Sequence, residues 1–340
     1  MPIQIADHVY QLKVPIPGSP LGATLPYLIT GPEGHTLIDT GWCKPDLMEV
    51  IRRQLNELGA GYFDLKQIIL THMHPDHSGL ADGLREASGA AIVLHDRDRI
   101  VRGLSNAANA AELRANSRDW YLARGVPAAE YDQVNDGGGK FTELIGRFKI
   151  PKPDIVVYGG EILPAGTSEL EVIWTPGHSA GHICLYDRTT RLLYTGDHVL
   201  PKITPNVSIH PHETGNPLGD FLASQRRIRD LAVEWYLPAH EYHEQDLAGR
   251  VDKLIAHHAA RCDEILEIIG ADAKTPYEIA SKLHWNLNAW NEVAPFMRRL
   301  ALGETLAHLV YLEDLGQVGC KLRDGVYRYF AERPAPVGAR

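Results

Sequence analysis

Residues Thr71–Gly79 read THMHPDHSG and set three histidines and an aspartate within six positions, directly after the apolar, strand-like segment Gln67–Thr71. Neutral imidazole and carboxylate are ligands that borderline divalent cations such as zinc prefer, and an i, i+2 pair on an extended chain end, His72 and His74, can turn both rings into one site. Pro75 lacks an N–H and has a fixed φ, which predicts a bend out of helix that swings Asp76 and His77 back toward His72 and His74. The stretch therefore reads as two half-sites side by side.

Working outward, short apolar runs alternate with segments of helical spacing. Tyr27–Thr30 and His35–Asp39 flank the turn sequence GPEG and predict a β-hairpin. Asp46–Leu58 carries Leu47, Val50, Ile51, Leu55 and Leu58 at helical spacing and stops at Gly59. A short helix around Leu80–Ala87 and a buried strand at Ala91–His95 follow the histidine loop. Residues 96–152 change character, with Ala-rich helical stretches (Ala107–Arg124), the run VNDGGGK and an amphipathic piece (Phe141–Phe148). This is read as an insertion that walls or lids a pocket. Strand patterns resume at Glu169–Trp174 and in the hairpin His182–Tyr186 with Arg191–Thr195, and a helix at Leu218–Ala232 leads to the strand Glu234–Leu237. Four apolar runs then end alike in a ligand type: QIILTH, EVIWTPGH, LLYTGD and EWYLPAH. Strand ends at one edge of a layered sheet structure bring distant residues together, so the expected class is α/β with a site at that edge.

From Leu247 the pattern is helical: Arg250–Ile269 ending at Gly270, a helix from TPYEIASKL with Thr275 as N-cap and Glu278 three residues on, and a third helix from Glu292 or Gly303 to Leu315. Two strand-like runs around Arg323-Asp324-Gly325 close the tail. Three helices and a hairpin outline a winged-helix-like module over 247–340, after a catalytic domain over 1–246.

Composition narrows the partners. Net charge is −9, and the residues from Leu247 onward hold twelve Lys/Arg against twelve Asp/Glu, so the acidity lies in the first 246 residues. That disfavours nucleic acid as a partner and leaves a small-molecule substrate. No run approaches eighteen apolar residues and no signal-peptide pattern opens the chain, so no membrane partner and a cytoplasmic location are expected. Homo-oligomerisation is left open. The four scattered cysteines, Cys43, Cys184, Cys262 and Cys320, form no C-x-x-C pair and read as free thiols.

The strand-end residues sort into one set of His72, His74 and His178 and another of Asp76, His77 and His240, with Asp197 able to bridge both. Asp76 and Asp197 offset half the charge of two divalent ions. A hydroxide shared between such ions would be a strong nucleophile, since metal binding brings the pKa of water to about 7. Zinc is the first choice of metal, with iron or manganese as alternatives. Asp39, at the end of TLIDTG, suits a carboxylate that orients a ligand imidazole through its other nitrogen. His210 and His212, in SIHPHE, are candidates for substrate contact at a pocket mouth. His182 and His198 are read as structural, and His257 and His258 as surface residues of the tail helix.

THMHPDH, TPGHSAGH, YTGD and PAH, in this order over residues 1 to about 246, resemble the metallo-β-lactamase superfamily. The two-carboxylate set is similar to that of its glyoxalase II-like hydrolases. The resemblance implies an αββα sandwich with a binuclear centre at one sheet edge, hydrolysing an ester or thioester, and the tail is similar to that of the branch containing a mammalian endoribonuclease and fungal polyketide thioesterases. About one hundred residues separate His77 from His178, longer than a compact glyoxalase II-like domain, and the glyoxalase II substrate residues have no counterpart. Two alternatives stay open: a mononuclear-iron persulfide dioxygenase, which the HxHxDH loop also resembles, and a metal-dependent ribonuclease aided by the tail.

Overall fold

The computed structural model describes residues 1–99, 117–136, 148–211, 213–285 and 289–332. The backbone divides into two compact units, the first formed by 1–107, 140–205 and 223–251 and the second by 108–139, 206–222 and 252–340. Most of the expected helix over 107–124 and the amphipathic piece 141–148 lie outside the described residues, as does His212. No helix among the described residues is long and apolar enough to cross a membrane.

In the first unit the early strands are β1 (Ile3–Ala6), β2 (Val9–Gln11), β3 (Val14–Pro15), β4 (Ala23–Thr24), β5 (Tyr27–Ile29) and β6 (His35–Ile38). They are followed by α1 (Met48–Glu57), β7 (Leu65–Ile69), α2 (Pro75–Ser78), α3 (Ala81–Ser88), β8 (Ala91–His95) and, later, β9 (Ile155–Val157). One sheet runs β1-β2-β5-β6-β7-β8-β9 and is parallel from β6 onward. The second sheet takes β10 (Ile162–Ala165), β11 (Ser168–Trp174), β12 (Ile183–Asp187), β13 (Leu192–Gly196) and β14 (Trp235–Pro238) in chain order, with β13 and β14 parallel.

The continuous apolar runs are explained by burial on both faces. Leu28, Leu37, Ile68, Ile92 and Leu94 point to one core, where they meet Ile51 and Leu55 of α1 and Leu84 of α3. Their neighbours Ile29, Ile38, Ile69 and Val93 point the other way and pack against Val172, Leu185, Leu192 and Leu237 of the second sheet. A strand buried on both sides has no polar face to alternate with. The layers are thus helix, sheet, sheet and helix, the last supplied by residues of 223–251: Ser224 Oγ donates to the Pro176 carbonyl and Gln225 Nε2 to that of His198.

Pro75 departs from expectation. It opens the helical turn α2 after an extended His74, because the first helical position needs no N–H of its own. The turn presents Asp76 and His77 to the same side as a bend would have done.

The second unit contains a helical segment at 117–122, α4 (Ala128–Asp136) and the start of α5 (Pro217–Ile228). Most of α6 (Leu247–Ile269), α7 (Pro276–Ala280), α8 (Pro295–Asp314) and the hairpin β15 (Val318–Arg323) with β16 (Val326–Ala331) complete it. The expected capping box at Thr275 and Glu278 forms. Residues 117–136 belong here because Arg298 Nη1 donates to Glu130 Oε2 at 2.8 Å, Arg299 lies over the rings of Tyr121 and Tyr131, and Val126 and Tyr131 share a core with Leu302 and Leu306. His258 is buried in this unit, 1% exposed, and not on the surface as its place on the tail helix suggested.

Candidate metal centre

The C-terminal ends of β6, β7, β11, β13 and β14 lie at one edge of the first unit and carry Asp39, the histidine loop, His178, Asp197 and His240. The edge is laced together by backbone hydrogen bonds: Asp39 N–H to the Ile69 carbonyl, Ile183 N–H to that of Thr71, and Ala239 N–H to that of Gly196. Gly196, at φ 49°, permits a close approach, for a Cβ there would sit 2.9 Å from Thr71 and 2.7 Å from the His182 ring.

All seven expected ligands converge. His72 Nε2, His74 Nδ1 and His178 Nε2 form a triangle with sides of 2.9, 3.0 and 3.2 Å. Asp197 Oδ2 lies 3.5 Å from both His178 Nε2 and His77 Nε2, and its Oδ1 lies 3.3 Å from His240 Nε2. Asp76 Oδ2 lies 3.5 Å from His240 Nε2 and 3.8 Å from His77 Nε2. Asp197 therefore stands between a three-histidine group and an Asp76–His77–His240 group.

Backing residues decide which ring nitrogens face inward. Asp39 is buried with φ 58°, a left-handed conformation that Asp tolerates better than most side chains. Its carboxylate accepts from the Thr71 N–H at 2.8 Å, from Thr71 Oγ1 at 2.8 Å and from His77 Nδ1 at 2.9 Å. With its own proton given to Asp39, Thr71 Oγ1 accepts from His72 Nδ1 at 3.1 Å. His240 Nδ1 donates to the Ala23 carbonyl at 2.8 Å. Each of these rings turns its Nε2 to the cluster, the nitrogen that a neutral ring would offer to a cation.

The sequence reading missed Asp98. Its carboxylate accepts from Met73 N–H at 2.8 Å, Gly181 N–H at 2.7 Å and Ser179 Oγ at 3.2 Å, so one buried side chain ties the loop of His72 and His74 to the loop of His178. A signal was present: HDRD follows the apolar run AIVL, one more strand ending in acids at the same edge. His182, read as structural, holds Asp197 in place, accepting at Nε2 from the Asp197 N–H at 3.1 Å. His210 lies in the second unit, where its N–H donates to Glu213.

Charge and burial oppose each other here. Burial, reinforced by the neighbouring rings, depresses the basicity of His72, and it takes His74 down to about 3. Burial also works against the carboxylates, yet His77 and His240 hold Asp76 at about 2 and keep Asp197 well below the usual carboxylate range. His77 is raised despite its burial by Asp197, Asp76 and Asp39.

The donor set fits cations. Three nitrogens about 3 Å apart repel as lone pairs but suit one ion at the roughly 2.0–2.1 Å distance of zinc to nitrogen. His77 Nε2, His240 Nε2 and Asp197 Oδ1 are buried with no hydrogen-bond partner, an arrangement that costs about 1–3 kcal/mol per atom unless something else binds there.

The metallo-beta-lactamase superfamily model matches residues 20–240. A solved structure of a metallo-beta-lactamase family protein from Thermus thermophilus is 32% identical, covers 97% of this chain and 100% of its own, and superposes with a TM-score of 0.81. A probable metallo-hydrolase of Bacillus subtilis is 24% identical over 321 residues, 90% of this chain and 92% of its own. An acyl-coenzyme A thioesterase of Gallus gallus is 27% identical over 228 residues, 63% of this chain and 71% of its own.

Proposed function

Since the chain belongs to the metallo-beta-lactamase superfamily and is a metal-dependent hydrolase, we propose that it cleaves a carboxylic ester or thioester with two divalent ions, zinc in first place. The observation that carries this reading is the convergence of seven side chains with three buried atoms left without partners. His72, His74 and His178 would hold one ion, Asp76, His77 and His240 the other, and Asp197 both. Bound there, two ions supply Lewis acidity, bringing the pKa of water toward neutrality and polarising a carbonyl oxygen.

The chain's own residues supply position and charge. Asp76 and Asp197 stay ionised at neutral pH and offset half of a fourfold positive charge. Asp39, through His77 directly and through Thr71 to His72, keeps one ring of each set in its binding tautomer. The thioester class draws support from the Gallus gallus relative, named for that activity. We assign the chemistry to 1–246 and a winged-helix-like arrangement to 247–340, whose even charge favours packing or self-association over nucleic-acid binding.

The test is metal content and hydrolysis measured on one sample, across acyl-coenzyme A thioesters, lactones, β-lactams and phosphodiesters. Two ions per chain with thioester or ester turnover is the expected result. One iron per chain with oxygen uptake on a persulfide would overturn it.

A further inference from the structure

The helical turn α2 is four residues long, carries two of the seven ligands, Asp76 and His77, and cannot hold itself in place. The last four carbonyls of any helix lack an intrahelical N–H partner, and a helix of one turn has little else. Its donors come from elsewhere in the chain. For His77 the donor is Thr40, whose N–H and Oγ1 both reach the His77 carbonyl at 2.7 Å. For Asp76 it is Thr24 of β4, whose Oγ1 donates to the Asp76 carbonyl at 2.8 Å. Both threonines are fully buried.

The neighbours of Thr24 reach another ligand of the same set. The Ala23 carbonyl accepts from His240 Nδ1 at 2.8 Å, and Leu25 N–H donates to the Ala239 carbonyl at 2.7 Å. Ala23, Thr24 and Leu25 thus join two ligand segments remote in sequence, and β4 is itself pinned by pairing with β3 at Val14. The three-histidine group has a separate scaffold. Asp98 ties its loops through the N–H groups of Met73 and Gly181, and Thr71 backs His72. Ser78 Oγ donates to the Met73 and His74 carbonyls at 2.8 and 3.0 Å, which keeps the end of α2 on that scaffold. The Asp76 carboxylate meets the rings of fellow ligands, His240 at 3.5 Å and His77 at 3.8 Å, so its place is set from the main chain.

We propose that Thr24 is a positioning residue for the second ion, the one assigned to Asp76, His77 and His240. Its hydroxyl fixes the backbone of α2 at Asp76 and leaves the three-histidine group to Asp98 and Thr71. Removing that hydroxyl leaves a buried carbonyl short of a donor and frees Asp76 to move away from the cluster. The inference rests on the two-ion reading above.

The test equilibrates the full-length chain with zinc buffers of stepped free concentration and counts ions per chain by elemental analysis. The wild-type chain should fill two sites. Thr24→Val should keep one ion at wild-type affinity and bind the other about 10–100-fold more weakly, and Thr24→Ser, which keeps the hydroxyl, should restore it. Thr24→Ala, with no methyl groups pressed on the Asp76 carbonyl, carries the test if Thr24→Val does not fold. Equal weakening of both ions, wild-type affinity for both in the folded variant, or no recovery in Thr24→Ser would overturn the role of Thr24 and leave the two-ion reading standing. A wild-type chain that holds a single ion would overturn both.

Discussion

Buried histidines gather in both units, and their partners differ. In the first unit, His72, His77 and His240 each give Nδ1 to a backing oxygen and turn Nε2 toward other ligand atoms. In the second, His258 Nδ1 and His308 Nε2 satisfy each other at 3.1 Å, and His308 Nδ1 donates to the carbonyl of Glu304 one turn back. Burial holds His258 at about 2 and His308 at about 4. The carboxylates diverge as well: Asp76 is held at about 2 among histidines, whereas burial pushes Glu304 up to about 7. Clustering and burial alone therefore do not make a metal centre. The first cluster is the one suited to metal ions because carboxylates stand among its rings and offset positive charge.

The sharpest way to break this contrast is Asp197→Ala. Turnover should fall by roughly 10³-fold, about 4 kcal/mol on the barrier, with metal content reduced and the circular dichroism spectrum unchanged. Retained turnover would remove Asp197 from its place between the two groups. Asp98→Asn should act more mildly, since Asp98 positions ligands through two loops without touching the cluster. A loss of about 10–100-fold in metal affinity is expected in metal-buffer titrations, and unaltered affinity would reduce Asp98 to a loop staple.

The smallest effect tests the second unit. Glu304 binds its proton more tightly when folded, about 7 against an ordinary 4.5. Folded stability from this group is thus full below pH 4.5 and is lost as pH rises through about 7. Glu304→Gln should raise stability at pH 8 by at most about 3 kcal/mol and hardly at all at pH 4.5, with metal content unaltered, as read from thermal melts and elemental analysis. An equal gain at both pH values would mean that the carboxylate ionises freely.

Much of the fold was legible because the signals are local. Ala91–His95 is read to the residue, and the Thr275 capping box and the three hairpins form where turn and cap chemistry put them. His258 was legible too, though unread: Leu254, His258, Cys262, Ile265 and Ile269 share one helical face, and that face is buried. The grouping of 117–136 with the C-terminal helices was not legible, for it depends on Glu130 meeting Arg298 across 168 positions, and neither residue has a sequence signature.

By itself the sequence determined the seven donor types, their order and the strand ends on which they ride, because apolar periodicity and ligand chemistry are properties of short segments. Tertiary structure alone decided that Asp197 stands between the two groups and that Asp39 and Asp98 back them from separate strand ends. Those are distances between residues remote in the chain, and packing sets them.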